Sequence, residues 1–308
     1  MLKRIWLFLL TNILILVVIS ISFTVISSVF WINLWWYYTW WSMVPLLVFA
    51  WIIWFSWAFI SLFLSKFMAK QSYNIEIITQ ENLYNYSKKE KLVYELVETL
   101  SNQNGIKMPE VWIYIDNEPN AFATWATKNS SLVAVSTGLL ESMDEDEISW
   151  VIAHEMAHIL NWDMVTMTLM QWVINTFVVF LSRIIASIVD NYFKSDEEEQ
   201  SSWPSFVYYI VSIVLEIIFS ILASILVMAF SRYREYKADE GSAKFVWREK
   251  MIKALKKLQI LTNRITTTDE DSLATFKIWS KKRSGIMSLF ASHPDLEDRI
   301  LALENAKF

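Results

Sequence analysis

Residues 150 to 166 read WVIAHEMAHILNWDMVT, and the HEMAH at 154 to 158 decides how the chain around it is read. Asp144 can cap a helix, and Glu147 three residues on can complete a capping box, so the spacing predicts a helix that starts near Asp144 and carries the motif. On that helix His154 and His158 stand one turn apart on the same face, where two imidazoles can share one zinc ion. Glu155 lies beside them as a candidate general base, which is the pattern of metal-assisted peptide hydrolysis. Five residues are too few to carry that reading alone, so the rest of the chain must supply the missing parts.

A catalytic zinc takes three protein ligands and leaves a fourth position to water. No histidine stands at the spacing of the extended HExxHxxGxxH motif, where this chain has Met164, and with no cysteine there is no thiolate to offer. The third ligand is therefore expected to be a carboxylate. Glu235, in the helical run REYKAD (234 to 239), is the candidate, with Asp239 one turn later on the same face. Asp239 could accept from the outer ring nitrogen of a ligating histidine; in any other context both would read as solvated helix charges beside Arg234 and Lys237. The remaining histidine, His293 in SHPDLEDR (292 to 299), reads equally as a helix cap or, with Arg299, as a donor to the oxyanion of a tetrahedral intermediate.

The 308 residues are 55% hydrophobic with a mean hydropathy of +0.32, too apolar for an ordinary soluble domain. A net charge of −5 carries no nucleic-acid signature. After Lys3 and Arg4 the next charge is Lys66, and within that interval residues 6 to 30 and 42 to 65 are each long enough to cross a bilayer. Residues 164 to 182 and 204 to 230 are two further apolar segments, and lysine and arginine at the flanks place the soluble parts in the cytoplasm. Glu216 inside the last segment should face protein or a wet cavity, whereas Arg183 reads as an interfacial anchor whose side chain snorkels to the headgroups. Four regions follow: an N-terminal membrane region at 1–70, the first part of a catalytic domain at 71–163, a hydrophobic hairpin at 164–230, and the second catalytic part at 231–308.

In the soluble parts Leu92, Val93, Leu96 and Leu100 recur at helical spacing up to a stop at Gly105. VWIYI (111 to 115) and SLVAV (131 to 135) read as strands, with NAFATW (120 to 125) between them. Met251, Leu255, Leu258 and Leu261 form another core-facing stripe, residues 262 to 285 read as a loop, and a last helix is expected with Pro294 in its first turn.

The chain holds only 4 glycines against 17 tryptophans, where glycine ordinarily makes up about 7% of residues and tryptophan is rare. Several tryptophans stand where glycine makes better physical sense, among them Trp125, Trp162 and Trp279. A translation that reads UGA as tryptophan, in a source that reads it as glycine, would produce this imbalance.

Taken together, NAFATW, SSLVAVSTGLL (130 to 140), AHEMAHILNWDMVTMTL (153 to 169), SRYREYKADEGSAK (231 to 244), REKMIKAL (248 to 255) and SLFASHPDLEDRI (288 to 300) resemble HtpX-type membrane zinc metalloproteases, relatives of the CAAX prenyl proteases. The resemblance implies an α-helical membrane protein with about four apolar spans and an α+β zincin-like catalytic domain containing one small β-sheet. It implies one zinc ion per subunit held by His154, His158 and Glu235, with Glu155 activating water and Asp239 supporting a ligand. His293 and Arg299 would stabilise the transition state, and Asn120, Ala121 and Phe122 would lie on an edge strand that pairs with substrate backbone. The implied partners are polypeptides, foremost misfolded membrane proteins, in a multi-pass protein of the plasma membrane working in cytoplasmic quality control. Where the family pattern carries glycine, this chain has Trp125, Trp162, Trp172 and Trp247. A tryptophan at 162, one turn past His158, is expected to crowd the metal. Two rivals stay open: a membrane scaffold with a structural zinc, for which Glu155 is dispensable, and a transporter, for which Glu216 matters more.

Overall fold

Short runs of β-branched and aromatic residues, together with a capped helix, frame the unit that carries HEMAH. A computed structural model of the chain describes residues 75–124, 127–193, 205–245, 248–264 and 285–306, with Trp51, Ile52, Phe55, Ser56, Trp57, Ile60 and Leu64. The expected spans at 6 to 30 and 42 to 65 lie outside the described residues apart from those seven, as do Trp125, Trp247 and Trp279. The chain divides into two units, one of residues 62–167 and 225–308 and the other of residues 1–61 and 168–224.

The first unit contains strands β1 (Ile75–Ile78), β2 (Glu110–Tyr114), β3 (Ala121–Thr124) and β4 (Leu132–Ser136). They form a mixed sheet in the order β1-β2-β4-β3, with β2 parallel to β4 and the other pairs antiparallel. The two-residue strand period sends Val111, Ile113, Val133 and Val135 to one face, where they join the main core, and Trp112, Tyr114, Leu132 and Ala134 to the other. Helix α1 (Lys88–Gln103) starts with a Ser87–Glu90 capping box, buries Val93, Val97 and Leu100, and stops before Gly105, which takes a left-handed φ of +63°. The short helix α2 (Thr137–Ser142) follows β4 directly. Only glycine fits at Gly138, since a Cβ there would lie 2.3 Å from the carbonyl oxygen of Asn117.

Helix α3 (Glu145–Leu160) carries the motif and is followed by α4 (Asp163–Phe193), α5 (Phe206–Phe245), α6 (Arg248–Arg264) and α7 (Leu296–Asn305). α3 packs against α1, β3, β4 and α6, and α6 packs on α7. The α6 stripe is as expected for Met251, Leu255 and Leu258, all fully buried; each such side chain contributes about 1.5–3 kcal/mol. α6 runs on to Arg264, into what reads as a loop, because nothing in ILTNR breaks a helix. Pro294 sits one residue ahead of the N-cap Asp295 and so outside the first turn of α7, whose first intrahelical bond runs from Arg299 N–H to the Asp295 carbonyl.

The second unit holds α4 from Thr168 onward and α5 up to Ser224. Among the described residues two helices are long and apolar enough to cross a membrane, and they fall on the third and fourth of the expected spans. Both outrun their expected apolar segments. α4 continues through Arg183 to Phe193, and α5 carries the last apolar segment and REYKAD on one 40-residue helix. Asp190 accepts from Ser205 and joins the two helix ends. Phe177, Leu181, Ile213, Ile217, Ile221 and Leu222 are exposed, a surface suited to lipid rather than water. Arg183 is not a snorkelling anchor: it pairs with Glu216 at 2.9 Å, donates to Ser212 Oγ at 3.2 Å and lies over the Tyr208 ring. Glu216 faces protein, because two opposite charges pair more cheaply in an apolar setting than either stands alone.

Candidate metal centre

α3 is placed by its start. The Asp144 carboxylate accepts from Glu147 N–H at 2.9 Å, the Glu147 carboxylate accepts from Asp144 N–H at 2.8 Å, and Lys253 Nζ from α6 donates to Asp144 at 2.6 Å. Ile148, Trp150, Val151, Ile152, Ala153, Met156 and Ile159 are fully buried along the helix, which fixes its rotation and so the direction in which the histidines point. The helix ends at a two-residue corner, Asn161 and Trp162. Trp162 adopts φ 60°, the left-handed region where glycine is the common residue at a helix end, and α4 begins at the next residue. The corner turns the tryptophan outward: the residue is 44% exposed and its ring centroid lies 5.0 Å from Lys128 Nζ, so it does not crowd the site.

The Nε2 atoms of His154 and His158 lie 3.1 Å apart. Glu235, brought in by α5, sets Oε2 3.4 Å from His154 Nε2 and Oε1 3.4 Å from His158 Nε2. Donor atoms held about 2.1 Å from a tetrahedral ion stand about 3.4 Å apart. The three separations fit one such ion, and a His/His/carboxylate set suits zinc. Glu235 Oε2 is buried with no hydrogen-bond partner among the described residues, as is His293 Nδ1, 3.1 Å from it. Such a cluster of close, unbonded polar atoms asks for a cation.

Carboxylates also stand close to the outer ring nitrogens. Asp239 Oδ1 lies 2.9 Å from His154 Nδ1, and Asp163 Oδ2 lies 2.5 Å from His158 Nδ1. Four buried carboxylates, Glu155, Asp163, Glu235 and Asp239, thus surround two imidazoles. Burial opposes charge on His158, but Glu235 and Asp163 more than offset it and push its pKa up to about 10. On His154 burial likewise opposes charge, and Asp239 and Glu235 raise the pKa despite it. Burial works against the Glu235 carboxylate too, yet His293 and His158 hold it well below the usual range. Glu155 goes the other way, its pKa raised chiefly by burial. Without a metal, the negative surroundings draw protons onto the histidines; a divalent ion answers the same demand.

Of the residues singled out in the sequence, His154, His158, Glu235, Asp239 and His293 converge here. Arg299 arrives differently. It is fully buried under Trp150, with Nε and Nη2 donating to Asp239 at 2.8 and 2.6 Å and Nη1 3.8 Å from Glu235 Oε2, so its fork holds a carboxylate. Ala121 and Phe122 open β3, the outermost strand on that side of the sheet among the described residues, with Asn120 just ahead of it, and β3 packs against α3. Ala121 and Phe122 pair with Val135 and Ala134 of β4, while the Asn120 carbonyl accepts from Ser136 N–H and its own N–H donates to Ser136 Oγ. Asp163 went unnoticed in the sequence, although its place five residues after His158, past a helix stop, was a usable signal.

The model of peptidase family M48 matches residues 87–307. The chain is 44% identical over 305 residues to a protein named Protease HtpX from Tolumonas auensis, covering 99% of this chain and 100% of that one. It is 46% identical over 308 residues to Protease HtpX homolog from Bacillus subtilis, covering 99% of each. Among solved structures it is similar to S. mikatae Ste24p, with a TM-score of 0.57 at 18% identity over 95% of this chain and 67% of that one, a likeness of fold.

Proposed function

The chain belongs to peptidase family M48, and from that premise we propose that it is a membrane zinc endopeptidase that hydrolyses misfolded or damaged membrane proteins at the cytoplasmic face. The observation that carries this reading is the convergence of His154, His158 and Glu235, whose donor atoms all lie within 4.8 Å of one another. These three would hold the ion, which would supply Lewis-acid polarisation of the scissile carbonyl and lower the pKa of the attacking water. Glu155, buried and with a raised carboxyl pKa, takes the proton of the attacking water and delivers it to the leaving amine. Asp239 orients His154, and Arg299 orients Asp239. His293, beside Glu235 and only partly buried, is the donor left to meet the developing oxyanion. Backbone of an extended substrate adds alongside β3 at Asn120, Ala121 and Phe122. The stretches 71–163 and 231–308 supply the catalytic domain, with the apolar hairpin between them in the bilayer.

The test is zinc content together with cleavage of a casein-type substrate by the detergent-solubilised chain and its Glu155→Gln variant. The variant should keep about one zinc per chain and lose cleavage. Cleavage that persists in the purified variant refutes the role of Glu155 and favours a structural metal.

A further inference from the structure

The carboxylate that serves the second histidine does not come from the helix that carries it. His158 Nδ1 meets Asp163 Oδ2 at 2.5 Å, and Asp163 is the first residue of α4, across the corner formed by Asn161 and Trp162. Asp163 is 6% exposed. Its carbonyl accepts from Arg234 Nη1 at 2.8 Å, and Arg234 directly precedes Glu235 on α5. One hydrogen-bonded run therefore joins the outer nitrogen of one donor histidine to the neighbour of the donor carboxylate.

We propose that Asp163 and Arg234 are positioning residues of the metal centre. Asp163 fixes the His158 ring with Nδ1 protonated and Nε2 turned to the shared point, and Arg234 ties the corner to α5, so that His158 and Glu235 keep their separation. This rests on the metal-centre reading above. Carboxylates of this kind orient a ligand ring and raise its basicity, and losing one typically costs about 10–100-fold in metal affinity.

The test is zinc affinity of the full detergent-solubilised chain by chelator competition, with the cobalt-substituted visible spectrum as a second readout. Asp163→Ala should weaken binding by about 10–100-fold and shift the cobalt bands. Asp163→Asn, which keeps an acceptor but loses the charge, should fall between Ala and the parent. Arg234→Met should weaken binding in the same direction, and Arg234→Lys should restore part of it. If the alanine variant fails to fold, the asparagine variant still decides. Affinities within twofold of the parent in both Asp163→Asn and Arg234→Met, with unshifted cobalt bands, overturn the proposal. A parent chain that binds no zinc overturns the metal-centre reading itself, and this proposal with it.

A different observation carries a second inference. Trp162 is the one non-glycine with positive φ among the described residues; the other positive-φ position is a glycine, Gly105, also at a helix end. In a chain of 4 glycines and 17 tryptophans, we infer that residue 162 is glycine in the natural protein, encoded by UGA. The gene's codon and peptide masses from source cells test this. UGA with a glycine mass is the expected result, and UGG, or a tryptophan mass, overturns it.

Discussion

Replacing Trp162 by glycine, asparagine and alanine isolates the backbone energy stored at the corner between α3 and α4. In each variant the ring and its 5.0 Å approach to Lys128 are gone, so losses of packing and cation–π contact cancel in the comparison. What remains is the left-handed backbone at φ 60°. Holding an L-residue there costs about 1–2 kcal/mol, whereas glycine adopts it freely. Against this, glycine gives up about 0.4–1 kcal/mol more chain entropy than alanine on folding. The balance leaves Trp162→Gly more stable than Trp162→Ala by about 0.5–1 kcal/mol, which for a chain of this size is about 2 °C in melting temperature. Asparagine, which tolerates the left-handed region, should fall between them. At an ordinary helix interior the order is reversed, with alanine ahead by about 1 kcal/mol. Thermal melts of the solubilised, metal-loaded variants read the order directly. Alanine equal to or above glycine refutes the left-handed corner.

Three other outcomes follow from the geometry. Asp144→Ala removes the cap of α3 and should cost about 1 kcal/mol in denaturant unfolding at neutral pH. Lys253 and the Glu147 N–H hold the Asp144 carboxyl below its usual range, so that cost should be constant above about pH 4 and shrink as the pH falls through the depressed value. Arg299→Met strands the Asp239 charge in the interior and should cost about 3–5 kcal/mol, while Asp239→Asn added to it recovers part; a loss below about 1 kcal/mol would contradict the buried fork. Zinc binding to the metal-free chain at pH 7.5 should release about one proton or more, because His158 with its pKa near 10 must give one up, and calorimetry in buffers of different ionisation heat counts it.

Much of the site was legible because the histidines of HEMAH share a helix face and the carboxylate run REYKAD has its own helical spacing. The cap at Asp144 and the stripe on α6 were legible for the same reason: local periodicity and capping act over a few residues. What escaped notice acts over longer range. Strand β1 is only four residues, IEII, and its pairing to β2 comes from the sheet and not from its own pattern. The partner of Arg183 lies 33 residues on, so spacing along one helix could not reveal Glu216 across from it. The buried fork from Arg299 to Asp239 could not be seen in one dimension either, where a free guanidinium and one that holds a carboxylate look the same.

The donors of the metal centre are divided by the order of the chain: His154 and His158 come before both long apolar helices, and Glu235 comes after the apolar part of the second. During synthesis the two histidines leave the ribosome while their third partner, its supporting Asp239 and the Arg299 that holds Asp239 are still unmade. A chain arrested anywhere in the apolar hairpin carries the full HEMAH motif but no complete ligand set. Completion of this ligand set is thus an end-of-synthesis event, reached only after both long helices have been made.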